Sequence, residues 1–317
     1  MYSYENYHKV KEEIESRRLA AIAEADARSA KVRGLSPEIS EIDAELAGTG
    51  PLIFRTAVAG GDITPIKERN RELNLRRREI IASLGLPEDY TDVHYSCEKC
   101  SDTGYIDGTR MCSCFKEGLI KATIASSGIG RLIETQSFEN FSLDIYADNE
   151  NVRARMEKNL EAAREYVAGF SKCRANLLLI GNTGTGKTHI SSAIAREIIS
   201  RGYDVIYDSA QNILADFDDD QFRRRYDEEP KSAKYLECDL LIIDDLGTEL
   251  TNQFTTSCLY GLLNTRLNRH LPVILSTNLE TDEFRKRYWD RITSRVLGNF
   301  AIMPFKGIDI RRQKLGK

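Results

Sequence analysis

One turn limits every fold available to this chain. The stretch LLLIGNTGTGKTHISSAIA, Leu177 to Ala195, begins as a buried strand begins and ends as a helix ends. Between the two lies GNTGTGKT, which satisfies the G-x-x-x-x-G-K-[ST] pattern in the strand-turn-helix context that the pattern needs. Gly181, Gly184 and Gly186, with Asn182, Thr183 and Thr185 between them, let backbone N–H groups converge on an anion. The N-terminus of the following helix adds about half a positive charge. Lys187 is placed to neutralise the outer phosphates of a nucleotide, and Thr188 to ligate magnesium (Mg2+).

A triphosphate site also needs an acidic strand end. LLIIDD, 240–245, supplies four apolar residues for a buried strand and two aspartates at its carboxyl end, where ligands sit in open α/β sheets. Asp244 is expected to hold the magnesium and Asp245 to orient an attacking water; a helix cap is the other reading of Asp245. The next apolar run, PVILSTN, ends in Asn278, either a hydrogen-bond donor to a phosphate or a turn former. From about residue 145 the pattern alternates: helices at 148–170, 187–200, 252–269 and 281–297, and strands at 176–181, 203–208, 239–244, 272–277 and 300–304. Strands alternating with helices predict an α/β core with a five-stranded parallel sheet covered on both faces.

The 90 or so residues at the start read as charged helices with modest apolar faces. Val10, Ile14 and Ile22 share one face; a second helix opens at Ser36-Pro37 and is expected to break at GTGP, 48–51; a third opens at Thr64-Pro65 and ends at GLPEDY. Such a region is a bundle packed on itself or a module that docks a partner. The start lacks a signal peptide's apolar core, and no run approaches the roughly 20 apolar residues of a membrane span, so a cytoplasmic protein is expected. With 317 residues, 41% hydrophobic and 30% charged, and a net charge of −4, the chain carries no global nucleic-acid signature. Any polynucleotide contact needs a local patch. Seven cysteines include four in one cluster, Cys97-x2-Cys100 and Cys112-x-Cys114, joined by the turn-rich DTGYIDG. Thiolates brought together by a hairpin suit tetrahedral zinc (Zn2+), with His94 as a substitute ligand. Cys173, Cys238 and Cys258 are expected to be buried thiols.

In order and spacing, GNTGTGKTH (Gly181 to His189), LLIIDDLGTE, ILSTNL and RITSRVLGNF…FKGIDIR resemble the AAA+ ATPases of the DnaC/DnaI helicase-loader group, with the IstB transposition helpers as relatives. The resemblance covers residues 140–317 densely, and the cysteine segment extends it to about residue 90. It implies an AAA+ P-loop core that binds ATP, with Asn278 as sensor 1, Arg295 as the arginine finger offered to a neighbouring copy, Arg291 as a second candidate and Arg311 as sensor 2. Where AAA+ proteins generally carry Asp-Glu this chain has Asp244-Asp245, which leaves open whether Asp245 or Glu249 positions the water.

The expected organisation is therefore a helical helicase-interaction region (1–90), a zinc-binding module (91–118), a linker (119–144) and an AAA+ ATPase domain (145–317). The expected function is ATP-dependent loading of the replicative hexameric DNA helicase, by a homo-oligomer that engages single-stranded DNA. Arg223 to Arg225, between Phe222 and Tyr226, form one candidate DNA patch, or else a solvated helix face; the basic tail from Lys306 is another. The alternatives are an IstB-type helper acting on duplex DNA, a small-molecule kinase, and a helicase adaptor that binds ATP without turnover.

Overall fold

The computed structural model describes residues 2–130, 132–147, 149–222, 230–307 and 309. The chain divides into two compact units, Lys11–Phe115, and Lys116–Lys317 together with Met1–Val10. Three long helices open it: α1 (Tyr4–Leu35), α2 (Pro37–Val58) and α3 (Thr64–Ser83). Within the first unit they share a small core of Val32, Ile39, Ile42, Leu73, Ile80 and Ile81.

Helix α2 does not break at GTGP but runs on to Val58, with Pro51 inside it. Proline removes one N–H and crowds the carbonyl four residues back. Ala47 and Pro51 are both exposed, so water can serve the carbonyl that loses its partner. The helix is held on its other side by Thr49, whose hydroxyl donates to the Leu46 carbonyl (2.7 Å) and accepts from Asn70 of α3 (2.8 Å). Tertiary anchoring thus overrides a local breaking signal. Helix α3 opens at Thr64, as the sequence predicts, and just before it the Asp62 carboxylate accepts from the Thr64 N–H at 2.9 Å. A short hairpin follows, β1 (Tyr105–Ile106) against β2 (Arg110–Met111), and then α4 (Ser113–Ser126).

In the second unit come α5 (Leu132–Thr135), α6 (Glu150–Gly169), β3 (Asn176–Gly181), α7 (Lys187–Ser200), β4 (Val205–Ser209), α8 (Ala210–Phe222), α9 (Ala233–Glu237), β5 (Leu240–Leu246), α10 (Gln253–Asn268), β6 (Val273–Thr277), α11 (Thr281–Asn299) and β7 (Phe300–Phe305). The strands form one parallel five-stranded sheet in the order β4-β5-β6-β3-β7. The apolar runs of β3, β5 and β6 are unbroken because both faces are buried: Leu177 and Leu179 point into one core cluster and Leu178 into the other, as Leu240 and Ile242 oppose Leu241 and Ile243, whereas edge strand β7 exposes Ala301 and Ile302. The carboxyl ends of β3, β5 and β6 therefore meet at one edge, where Gly181, Asp244 and Thr277 stand. No described helix is long and apolar enough to cross a membrane. Of the three thiols expected to be buried, Cys238 is; Cys258 is half-buried and Cys173 exposed.

Candidate functional site

The turn after β3 has the backbone its sequence demands. Gly181 has φ of +151°, and a Cβ there would stand 1.8 Å from the Phe305 carbonyl oxygen, so only glycine fits. Gly186, φ +97°, opens α7, and a Cβ would meet the Tyr146 hydroxyl at 2.9 Å. Lys187 is buried, and its ammonium donates to the carbonyls of Gly181 (2.6 Å) and Asn182 (2.8 Å). A strongly charged donor is thus held at the mouth of the turn by the loop's own oxygens.

Strand β5 brings the acidic partner. Asp244 is buried; its Oδ2 accepts from Thr188 Oγ1 at 3.2 Å and from the Tyr207 hydroxyl at 2.6 Å, and its Oδ1 from the Asp245 N–H at 3.0 Å. Burial and the Asp244 charge push the Tyr207 phenol well above its ordinary value, so it stays a donor. Asp245 has φ of +52° and lies where the register between β5 and β6 slips. This left-handed kink, uncommon outside glycine, turns the exposed Asp245 into the cavity over the phosphate turn in place of continuing the strand.

That cavity, about 380 Å³, is lined by Thr183, Gly184, Gly186, Lys187, Thr188, His189 and Asp245. Its remaining wall is the segment from Thr135 to Tyr146, of which residues 135–144 belong to the expected linker. His189 Nε2 lies 2.8 Å from the Ser137 carbonyl oxygen and its ring meets Phe141 edge-on. The Tyr146 hydroxyl donates to the Thr185 carbonyl at 3.0 Å, and burial moves its phenol up to about 12. The signal available in the sequence was the aromatic spacing of FENFSLDIY, 138–146, too dense in apolar rings for a solvated connector.

Asn278 is exposed at the end of β6 and lines a second cleft, about 510 Å³, together with Gly181 and Asn182. Glu249 is not brought to the phosphate turn. Its carboxylate is buried, accepting from the Gly247 N–H at 2.8 Å and from the Tyr288 hydroxyl, with the Arg287 guanidinium 3.8 Å away. Arg295 lies 4.4 Å from the centre of the Tyr260 ring and donates to Asn264 at 3.0 Å, while Arg291 is exposed one turn earlier on α11. Arg311 and the 223–229 segment, with Arg223, Arg224, Arg225 and Tyr226, lie outside the described residues.

In the first unit, Cys97, Cys100, Cys112 and Cys114 converge, with all four sulfurs within 4.8 Å of one another. The Cys97–Cys112 and Cys100–Cys114 separations are 3.7 and 3.5 Å, and all four thiols are free. Zn–S bonds of about 2.3 Å in a tetrahedron require sulfurs about 3.8 Å apart, so the cluster fits that ion. The backbone N–H of Cys114, with neighbouring thiols, lowers the Cys112 thiol toward the thiolate a metal needs, while burial and the same thiols raise that of Cys114. Buried Asp102 orders the first knuckle, accepting from the N–H groups of Ser96 (2.7 Å) and Cys97 (3.0 Å) and from Arg17 (2.6 Å). His94 pairs with Asp89 at 3.9 Å and is not part of the group.

A parallel sheet with a glycine-lysine turn after one strand and a paired aspartate at the end of another is a P-loop nucleotide fold. Residues 131–313 match the model of the IstB-like ATP binding protein family, and the chain belongs to that family. It is 27% identical over 199 residues to the replicative helicase loader DnaC of Escherichia coli, covering 62% of this chain and 78% of that one. To the phage-like element PBSX protein XkdC of Bacillus subtilis it is 28% identical over 225 residues, 66% of this chain and 80% of the relative. A solved crystal structure of the DnaC helicase loader superimposes with a TM-score of 0.48 at 18% identity, over 56% of this chain and 99% of that one.

Proposed function

We propose that this chain is an ATP-dependent loader of a replicative hexameric DNA helicase. The observation that carries the reading is the phosphate cradle itself: Lys187 and Thr188 stand at the start of α7, with Asp244 bonded to Thr188, in a chain of an ATP binding family. The similarity to a replicative helicase loader directs that chemistry to helicase loading.

In this reading Lys187 and the loop N–H groups hold the β- and γ-phosphates, and Thr188 and Asp244 hold magnesium, which when bound draws charge from the phosphate oxygens. Asp245 orients the attacking water, because it faces the cavity while the Glu249 carboxylate is engaged elsewhere. Asn278 senses the terminal phosphate. Arg295, with Arg291 beside it, serves a neighbouring copy's nucleotide; such arginines are worth roughly 10³–10⁵ in rate in related chemistry. Arg311 has the sensor 2 role. The zinc-holding cysteines (91–118) and the helices before them (1–90) form the helicase-contacting region, and the AAA+ domain (145–317) engages single-stranded DNA.

The test is co-elution of the full chain with hexameric replicative helicases, with and without ATP, alongside ATP turnover with and without single-stranded DNA. The expected result is a helicase complex, with turnover that responds to DNA and helicase. Lys187→Ala should lose nucleotide binding and keep its fold, and Arg295→Ala should keep binding and lose turnover. Turnover indifferent to both DNA and helicase, with no complex formed, would overturn the loader reading.

A further inference from the structure

The cradle contains a donor to which the proposed reading gives no task. Tyr207 rises from β4, beside β5, with its ring buried. Its hydroxyl donates to Asp244 Oδ2 at 2.6 Å and lies 3.1 Å from Ser191 Oγ on α7. The carboxylate thus takes donors from separate elements: Tyr207 of β4 and Thr188 of α7 on one oxygen, the Asp245 N–H of β5 on the other. Hydrogen bonds to an ionised acceptor are shorter and stronger than neutral ones. The tyrosine is fixed in turn. Its N–H donates to the Ser127 carbonyl at 2.6 Å, and Gly128 comes so near that a Cβ there would meet the Tyr207 carbonyl oxygen at 2.3 Å.

We propose that Tyr207 is a positioning residue for the magnesium-bearing carboxylate: its hydroxyl fixes the orientation of Asp244 and so sets how tightly the divalent cation of the nucleotide is held. The inference rests on the nucleotide reading above. Thr188, the other donor to Oδ2, is itself assigned to the cation, so Tyr207 is the side-chain hydroxyl left free to hold Asp244 while Thr188 ligates. Partners behind a metal ligand typically govern 10–100-fold in metal affinity, which makes the effect measurable.

The test is Tyr207→Phe, which keeps the ring and removes the hydroxyl. Binding of a fluorescent ATP analogue to the full chain is titrated with Mg2+ and, separately, measured in EDTA. The expected result is a roughly tenfold rise in the Mg2+ concentration giving half-maximal tightening, with metal-free affinity unchanged. An unchanged magnesium midpoint overturns the assignment, and so does an equal loss with and without the ion, which marks packing damage. Should the variant not fold, Ser191→Ala carries the test: a smaller shift of the same midpoint is expected, and none overturns it. If the wild-type chain binds no nucleotide at all, the nucleotide reading falls and takes this one with it; if it binds normally and only the Tyr207 prediction fails, that reading stands.

Discussion

The two units of this chain are held together in different ways. The sheet-bearing unit buries both faces of β3, β5 and β6, and its two core clusters run through nearly every element. The unit of residues 11–115 gathers six aliphatic side chains into its one described core cluster. It relies instead on ion pairs between α2 and α3, such as Arg76–Glu38 and Arg77–Asp43, and on the cysteine cluster with its buried Asp102. Exposed pairs contribute little. A unit built this way is expected to depend on a metal held by those cysteines, whereas the nucleotide unit depends on its core.

Removing zinc is the harshest way to probe that difference. Structural zinc is worth about 10–16 kcal/mol in small peptides, far more than a hairpin with two-residue strands gains from its own packing. Chelation, or Cys97→Ser, should abolish hydrogen-exchange protection around 96–115 and leave protection of β3, β5 and β6 intact, with nucleotide affinity unchanged. Loss of protection in the sheet as well would break the comparison, because the metal would then be supporting both units.

The nucleotide unit has its own polar dependence, at Arg266. This guanidinium on α10 is fully buried and donates to the carbonyls of Tyr235 (2.8 Å), Cys238 (3.0 Å) and Pro272 (2.9 Å), tying α9 and the start of β6 to one helix. Burial lowers its pKa. Arg266→Met preserves the aliphatic stem but removes the guanidinium from the Tyr235 and Cys238 carbonyls, the Pro272 carbonyl keeping the Leu241 N–H at 3.3 Å, and should cost about 4 kcal/mol in urea unfolding of this unit alone. A loss under 1 kcal/mol would show that packing, not these bonds, holds the edge.

The parts of this architecture that were legible in the sequence are those with a strict local grammar. The strand-turn-helix of Asn176 to Ser200 and the run LLIIDD could be placed to within a residue or two, because a doubly buried strand has to be apolar throughout and the phosphate turn has to be glycine-rich. The cysteine spacing likewise located a cluster, though not Asp102, which orders it from a position that reads as an ordinary turn residue. What escaped was set by distant partners. GTGP breaks an isolated helix but not one anchored through Thr49 to Asn70. The segment 135–146 lines the cavity only because Ser137 and Tyr146 meet α7 and the phosphate turn. Arg266 is indistinguishable in sequence from the surface arginines of a helix. The left-handed conformation of Asp245 follows from a register slip that no spacing announces.

The mildest probe sharpens the comparison by pH. Asp204, just before β4, is raised from 3.8 to about 6, first by burial and then by the neighbouring Asp239. Asp239 accepts from the Asp204 N–H at 3.1 Å and pairs with Arg174 at 3.4 Å, so the Arg174 charge is directed at Asp239 and does little for Asp204. Below 3.8 the Asp204 carboxyl is protonated in the folded and unfolded chain alike, and it costs nothing. Between 3.8 and about 6 the folded state alone retains the proton, so each rise in pH favours unfolding. Above that window the folded state carries a buried charge, at a cost of about 2 kcal/mol after allowing for partial exposure. Asp204→Asn should therefore stabilise the nucleotide unit at pH 7 by about that amount and by almost nothing near pH 4, whereas the residue 11–115 unit should show no difference at either pH. An equal gain at both pH values would mean that the carboxyl's charge is not what weakens this strand, and the core would then account for the stability of the sheet without an electrostatic debit.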